Sequence, residues 1–180
     1  SKRFKGKAWP QFAELVEQEY LETFGKPLPA GSYDGVKDGT WAEYQRALKP
    51  TDGIEALLDS ITRPKAVASN SHAASLERKL RHTGLYKHFA PHVISLEDVK
   101  NGKPAPDMFL FAAAQLGAAP GECLVIEDSV TGVTAGAAAG ITVWGYVGES
   151  GGDPDLPDML REAGASEIFS HHDALRQRLG

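Results

Sequence analysis

Apolar residues recur along this chain with two different periods, and the change of period divides it. From Trp9 onward, Phe12, Val16, Tyr20 and Phe24 fall at helical spacing, with Glu14, Glu17 and Glu22 turned elsewhere. Gly25 and the KPLP that follows end that helix, and WAEYQRAL (41–48) predicts another. No strand candidate precedes residue 64. After Pro50 the texture changes. TDGIEALLDSI predicts a helix in which Asp52 and Glu55 stand at capping-box spacing. Strands are then predicted at KAVAS (65–69), HVIS (92–95), CLVIED (123–128), ITVWGY (141–146) and EIFS (167–170). Helices predicted over 72–83, 106–116 and 130–139 alternate with them, and a last helix closes the chain. Such alternation predicts an α/β fold with a doubly wound parallel sheet. Cys123 to Ile126 is apolar throughout and not alternating, as in strands covered by helices on both faces, and KAVAS and CLVIED are both expected to be fully buried. The boundary falls near Leu48 to Asp52, with a helical lobe over 1–48 and an α/β lobe over 49–180.

In a doubly wound sheet, ligands sit outside the carboxyl ends of the strands. Three of the predicted strand ends carry polar groups suited to a phosphate. KAVAS runs into Ser69, Asn70 and Ser71, just ahead of a helix whose free N–H groups can hold an anion. The loop after HVIS carries NGKPAPD, which offers Lys103 on a proline-stiffened segment. CLVIED ends in the adjacent acids Glu127 and Asp128. Two carboxylates at the end of an apolar strand need a positive partner. Hydroxyls, an amide, an ammonium and two acids at neighbouring strand ends would together hold a phosphoryl group and a divalent cation. Magnesium is the expected cation, because it favours oxygen ligands and few dedicated carboxylates.

Each residue also has an ordinary structural reading. Ser-Asn-Ser after a strand is often only a helix cap, and a lone lysine is often a solvated surface group. AGAAAG (135–140) reads as small side chains that let a helix approach the sheet. His171 and His172 read as surface residues without a role, and His72 as the start of a helix beside the phosphate loop. The combination lifts Ser69, Lys103, Glu127 and Asp128 above these alternatives.

Composition changes the picture only at its edges. A net charge of -5 over 180 residues argues against nucleic acid as the main partner. LERKLRH (76–82), the most basic stretch, reads as the solvated face of a helix with Leu76 and Leu80 as its buried stripe. One cysteine, Cys123, excludes a disulfide framework and fits a reducing compartment. No apolar run is long enough for a membrane span and no signal peptide is visible, so a cytoplasmic location is expected.

VASNS, GKPAPD and VIEDSVTGVTAGAAAG, taken in order, resemble motifs two, three and four of the haloacid dehalogenase-like hydrolase superfamily. The resemblance is nearest to the branch with a helical cap, which holds phosphoglycolate-type phosphatases and beta-phosphoglucomutase. It implies a Rossmann-like core over 49–180 and a partial α-helical cap over 1–48. It implies Ser69 and Lys103 as catalytic residues on the transferring phosphoryl group, and Glu127 with Asp128 as ligands of Mg2+. Asn70, Ser71 and His72 would bind substrate beside them, and Phe4, Lys5, Lys7 and Trp9 would face it from the cap. The implied activity is hydrolysis of a small phosphorylated metabolite through an aspartyl-phosphate.

The family's first motif, Asp-x-Asp-Gly, is expected upstream of Ser1, so the chain is read as lacking the nucleophile and the first strand. VKDGT (36–40) has Val36 where the nucleophile belongs, and reads instead as a turn with Asp38 capping the next helix. Three alternatives stand beside the phosphatase. A phosphosugar mutase of the same branch would carry an Arg near the position of Trp9. A dehalogenase would not need Glu127 and Asp128. A phosphate- or metabolite-binding domain would lack the nucleophile altogether.

Overall fold

The structure, a computed structural model, describes residues 47–148 and 153–180 together with positions 17, 18, 21 and 27. Phe4, Lys5, Lys7, Trp9 and the VKDGT stretch lie outside the described residues. The chain divides into two compact units, Ser1–Leu48 and, beyond it, Lys49–Gly180.

That unit alternates helices and parallel strands, as the change of period predicts. In chain order it runs α1 (Ile54–Ser60), β1 (Val67–Ala68), α2 (Ala73–His82), α3 (Tyr86–Phe89), β2 (Val93–Ile94), α4 (Asp107–Leu116), β3 (Leu124–Glu127), α5 (Val130–Ala138), β4 (Thr142–Tyr146), α6 (Leu156–Glu162), β5 (Glu167–Phe169) and α7 (His172–Leu179). Short 3-10 turns at Leu96–Asp98 and Pro120–Glu122 precede the Lys103 loop and β3. β1 pairs with β2 in register Val67 to Val93, and β3, β4 and β5 form a second parallel ladder in that order.

Alternation along β4 shows why helices lie on both faces. Val143 packs into a cluster with Phe109, Val133, Ala135 and Leu160, while its neighbour Trp144 joins Leu57 and Leu175. Successive strand residues point to opposite faces, so α4, α5 and α6 cover one side and α1 and α7 the other. The small residues of α5 serve this packing: a Cβ on Gly136 would stand 2.6 Å from Val143 Cγ2. Helix α2 keeps Leu76 and Leu80 buried and Arg78, Arg81 and His82 exposed, as its sequence pattern predicts. Lys79 is half-buried, however, and burial first and then the Arg78 charge push its ammonium pKa down.

Four expectations are corrected. β1 and β3 are not fully buried: residues 65–69 are half-buried and Ile126 is 38% exposed. The two strands belong to separate ladders, so each has an edge without a hydrogen-bonded neighbour among the described residues, and side chains near that edge keep access to water. No capping box forms at α1. Its N-cap is Gly53, in the left-handed region at φ 81°, with no side-chain cap, and Asp52 instead offers its carbonyl oxygen to His172. His172 is buried, 7% exposed, with its ring stacked on Tyr146. The first residue of α7 is turned into the core by that pair of contacts, while His171 stays exposed. Cys123 lies just before β3 and not inside it. Burial, and then the nearby Glu122 charge, pushes its thiol pKa up.

Candidate active site

β1 and β3 bring their carboxyl ends to one place, and Lys103 is the side chain that joins them. Its ammonium donates to the Ala68 carbonyl oxygen at 3.0 Å and pairs with the Glu127 carboxylate at the end of β3. Both side chains are only 9% exposed. The Phe109 ring flanks the ammonium, its centroid 4.7 Å from Nζ. Taking two charges out of water costs free energy that their attraction alone often fails to offset. A pair this deep at a strand end points to a use beyond stability.

Glu127 reaches Lys103 because α5 makes room for it. Alternation along β3 puts Glu127 on the face of Val125, toward α5. There Gly132 lies against it, and a Cβ at that position would overlap the carboxylate. Ser129 completes the setting: its hydroxyl donates to the other Glu127 oxygen at 3.0 Å and accepts the Gly132 N–H at 3.1 Å, capping α5. Glycine inside a helix normally costs about 0.5–1 kcal/mol relative to alanine. Here the sign should reverse. Gly132→Ala is expected to destabilise the protein by about 1–3 kcal/mol, the usual cost of overpacking a core, because Lys103 and Ser129 pin the carboxylate it would displace. Gly121→Ala, whose Cβ would meet nothing within 4 Å, is the control, and thermal unfolding of the two variants reads the difference.

At the end of β1, Ser69 continues the ladder by donating its N–H to the Ile94 carbonyl oxygen at 3.0 Å. Its hydroxyl oxygen accepts the Ser71 N–H at 3.2 Å and lies 3.1 Å from the Ser71 hydroxyl. Neither serine serves as the cap of α2. That task falls to Glu97, in the turn after β2, which accepts the Ala73 N–H at 2.7 Å with one oxygen and meets His72 Nδ1 at 2.7 Å with the other. The Ala73 amide first, and then the His72 ring, hold the Glu97 carboxyl below the usual carboxylate range. His72 is thereby oriented at the rim, with its side chain 62% exposed.

Asn70 is turned the other way. Its amide makes two bonds with the main chain of Lys103: Oδ1 accepts the Lys103 N–H at 2.9 Å, and Nδ2 donates to the Lys103 carbonyl oxygen at 3.0 Å. The loop between β2 and Lys103 is stiffened by Asp98, which accepts both the N–H and the hydroxyl of the buried Ser95 at 2.7 Å. Asn101 closes it against Asp107 at 2.9 Å.

Asp128 stands one residue past β3 with its side chain exposed, while the Glu127 carboxylate is committed to Lys103 and Ser129. Among the described residues, no three His, Cys, Asp or Glu side chains cluster as a metal site, and no helix is long and apolar enough to cross a membrane. The structure thus brings Ser69, Lys103, Glu127 and Asp128 to adjoining strand ends. The sequence reading did not single out Glu97, Ser129, Gly102 or Gly132. A glycine in the first turn of the helix after the acidic pair is the one signal that could have pointed to the last of them.

Comparison with known proteins bears on the family and the fold. Residues 12–140 match the family model of the haloacid dehalogenase-like hydrolases. The fructose-1-phosphate phosphatase YqaB of Escherichia coli is 43% identical over 79 residues, which are 44% of this chain and 42% of that protein. Among solved structures, a haloacid dehalogenase-like protein of Agrobacterium tumefaciens is 33% identical with a TM-score of 0.83, over 99% of this chain and 79% of that one. A hydrolase of the same family from Deinococcus radiodurans, solved with bound phosphate and sodium, is 32% identical with a TM-score of 0.80, over 98% of this chain and 76% of that one. The chain matches 21%, 42% and 57% of the lengths of three curated relatives, all of them phosphatases by name.

Proposed function

This chain belongs to the haloacid dehalogenase-like hydrolase family, and on that footing we propose that it serves the hydrolysis of phosphomonoesters of small metabolites, sugar phosphates foremost. The observation that carries the reading is the buried Lys103 ammonium, held between the Ala68 carbonyl oxygen and Glu127 beside the Ser69 loop. A phosphoryl group in transfer spreads negative charge over its equatorial oxygens. Lys103 offers fixed positive charge to it, and the Ser69 hydroxyl a hydrogen bond. Donors aimed beforehand at developing charge are usually the largest single contribution to such catalysis. Glu127 and the Ala68 carbonyl oxygen hold Nζ in place, so no reorganisation is needed when the charge appears.

The donor set also fits magnesium. Mg2+ keeps several waters and is usually held by one or two carboxylates together with substrate phosphate. Asp128 is the exposed carboxylate at this strand end, and we assign it as the direct ligand. Glu127, expected from the sequence as a second ligand, is engaged by Lys103 and Ser129 and in this reading acts from behind, through Lys103. Bound there, the ion would add positive charge against the phosphoryl oxygens. The fructose-1-phosphate phosphatase among the relatives supports sugar phosphates as the substrate class.

The test is phosphate release by the full-length protein from a panel of phosphomonoesters, with and without Mg2+. Release that requires Mg2+ and is fastest on sugar phosphates is the expected result. Transfer of the phosphoryl group within a sugar phosphate, without release, would favour a mutase. Binding of phosphate with no turnover on any member of the panel would sink the hydrolase reading in favour of a binding domain.

A further inference from the structure

We infer that Asn70 positions Lys103 and is not itself a ligand of the substrate; the inference rests on the phosphatase reading of this site and adds to it. Asn70 adjoins Ser69 in the loop expected to hold phosphate, and its amide could in principle face an anion. The structure shows it facing the protein. Both polar atoms of the amide bond the main chain of a residue 33 positions away, one accepting from the Lys103 N–H and one donating to the Lys103 carbonyl oxygen. This two-point pairing has the form of a strand bridge, made by a side chain where no ladder continues. Lys103 is thus tied to the end of β1 twice, by its main chain through Asn70 and by its ammonium through the Ala68 carbonyl oxygen.

Gly102 shows that the contact is built into the loop. A Cβ there would stand 2.7 Å from Asn70 Oδ1 and 2.5 Å from Leu96 Cδ1. Only a residue without a side chain lets the amide dock beside Lys103. To reach a phosphoryl group, Asn70 would have to give up both bonds and leave the Lys103 main-chain groups without these half-buried partners. In its observed place it sets the spacing between the Ser69 hydroxyl and the Lys103 ammonium before any substrate arrives. Such spacing matters because misplacement by about 1 Å can cost roughly 10²-fold in rate.

Two measurements on the full-length protein test this. In Asn70→Ala, kcat for a sugar phosphate is expected to fall by about 10- to 100-fold, with KM and the dissociation constant of inorganic phosphate held within about threefold, the pattern of an interaction felt at the transition state. Exchange of the Lys103 amide hydrogen should also quicken by about tenfold or more, since its acceptor is gone. Gly102→Ala leaves the Asn70 side chain chemically intact but crowds it, and should give the same pair of changes; it also serves if Asn70→Ala does not fold. A rise in KM and in the phosphate dissociation constant with kcat preserved would overturn the inference, as would unchanged exchange at Lys103. The exchange measurement involves no turnover, so a protein that hydrolyses nothing would defeat the phosphatase reading and still decide the role of Asn70.

Discussion

Lys103→Met in the full-length protein is expected to lower kcat/KM for a phosphomonoester by at least about 10²-fold, the scale on which a single preorganised electrostatic donor contributes. The Lys103 side chain is 9% exposed and its ammonium is already fixed by Ala68 and Glu127, so its charge is ready when the phosphoryl group transfers. Methionine matches much of the stem and can keep its place near Phe109, which isolates the loss of charge. A second effect should accompany the first. With the ammonium gone, Glu127 is a buried carboxylate without its counter-charge, held only by the Ser129 hydroxyl, and breaking a buried pair in this way costs about 3–5 kcal/mol. Adding Glu127→Gln removes that burden, so the double variant should regain most of its thermal stability and none of its activity. Recovery of activity along with stability would show that Lys103 acts only as a structural ion pair, and activity within a few-fold of the parent in Lys103→Met would place it outside the site.

Asp128→Ala is expected to abolish Mg2+-stimulated turnover while leaving the fold intact. The two halves of that expectation have separate causes. Asp128 lies just past β3 with its side chain exposed, so truncation opens no cavity in the core, the mechanism behind the large losses of stability. It is also the exposed member of the acidic pair, while Glu127 is 9% exposed and held by Lys103 and Ser129. Asp128→Asn keeps a neutral oxygen there and should leave weak activity that needs more Mg2+. Phosphate release measured across a Mg2+ titration, beside unfolding curves, separates these outcomes. Near-normal activity stimulated by Mg2+ in Asp128→Ala would show that the metal is held elsewhere.

Most of the secondary structure could be read from the chain, because it is written in near neighbours. The spacing of Leu76 and Leu80 marks the buried stripe of α2, and apolar runs closed by Ser69 or by Glu127 mark where β1 and β3 end. The order of strands and helices then leads to a parallel sheet with polar groups gathered at its carboxyl ends. What each polar group does there could not be read in the same way. Glu127 and Asp128 are adjacent and chemically alike, yet one is buried against Lys103 and the other exposed, because Glu127 ends β3 on the face that meets α5 at Gly132 while Asp128 already stands past the strand.

The same holds for side chains whose partners lie far along the chain. Asn70 pairs with a main chain 33 positions away, Glu97 caps a helix that precedes it by 24, and His172 bonds a carbonyl oxygen 120 positions back. None of these partnerships has a local signature, since each depends on which loops the sheet brings together. The sequence by itself determined the elements, their order and the chemical types at the strand ends. Tertiary structure decided which of those groups face one another, because long-range contacts are set by packing across the fold and not by spacing along the chain.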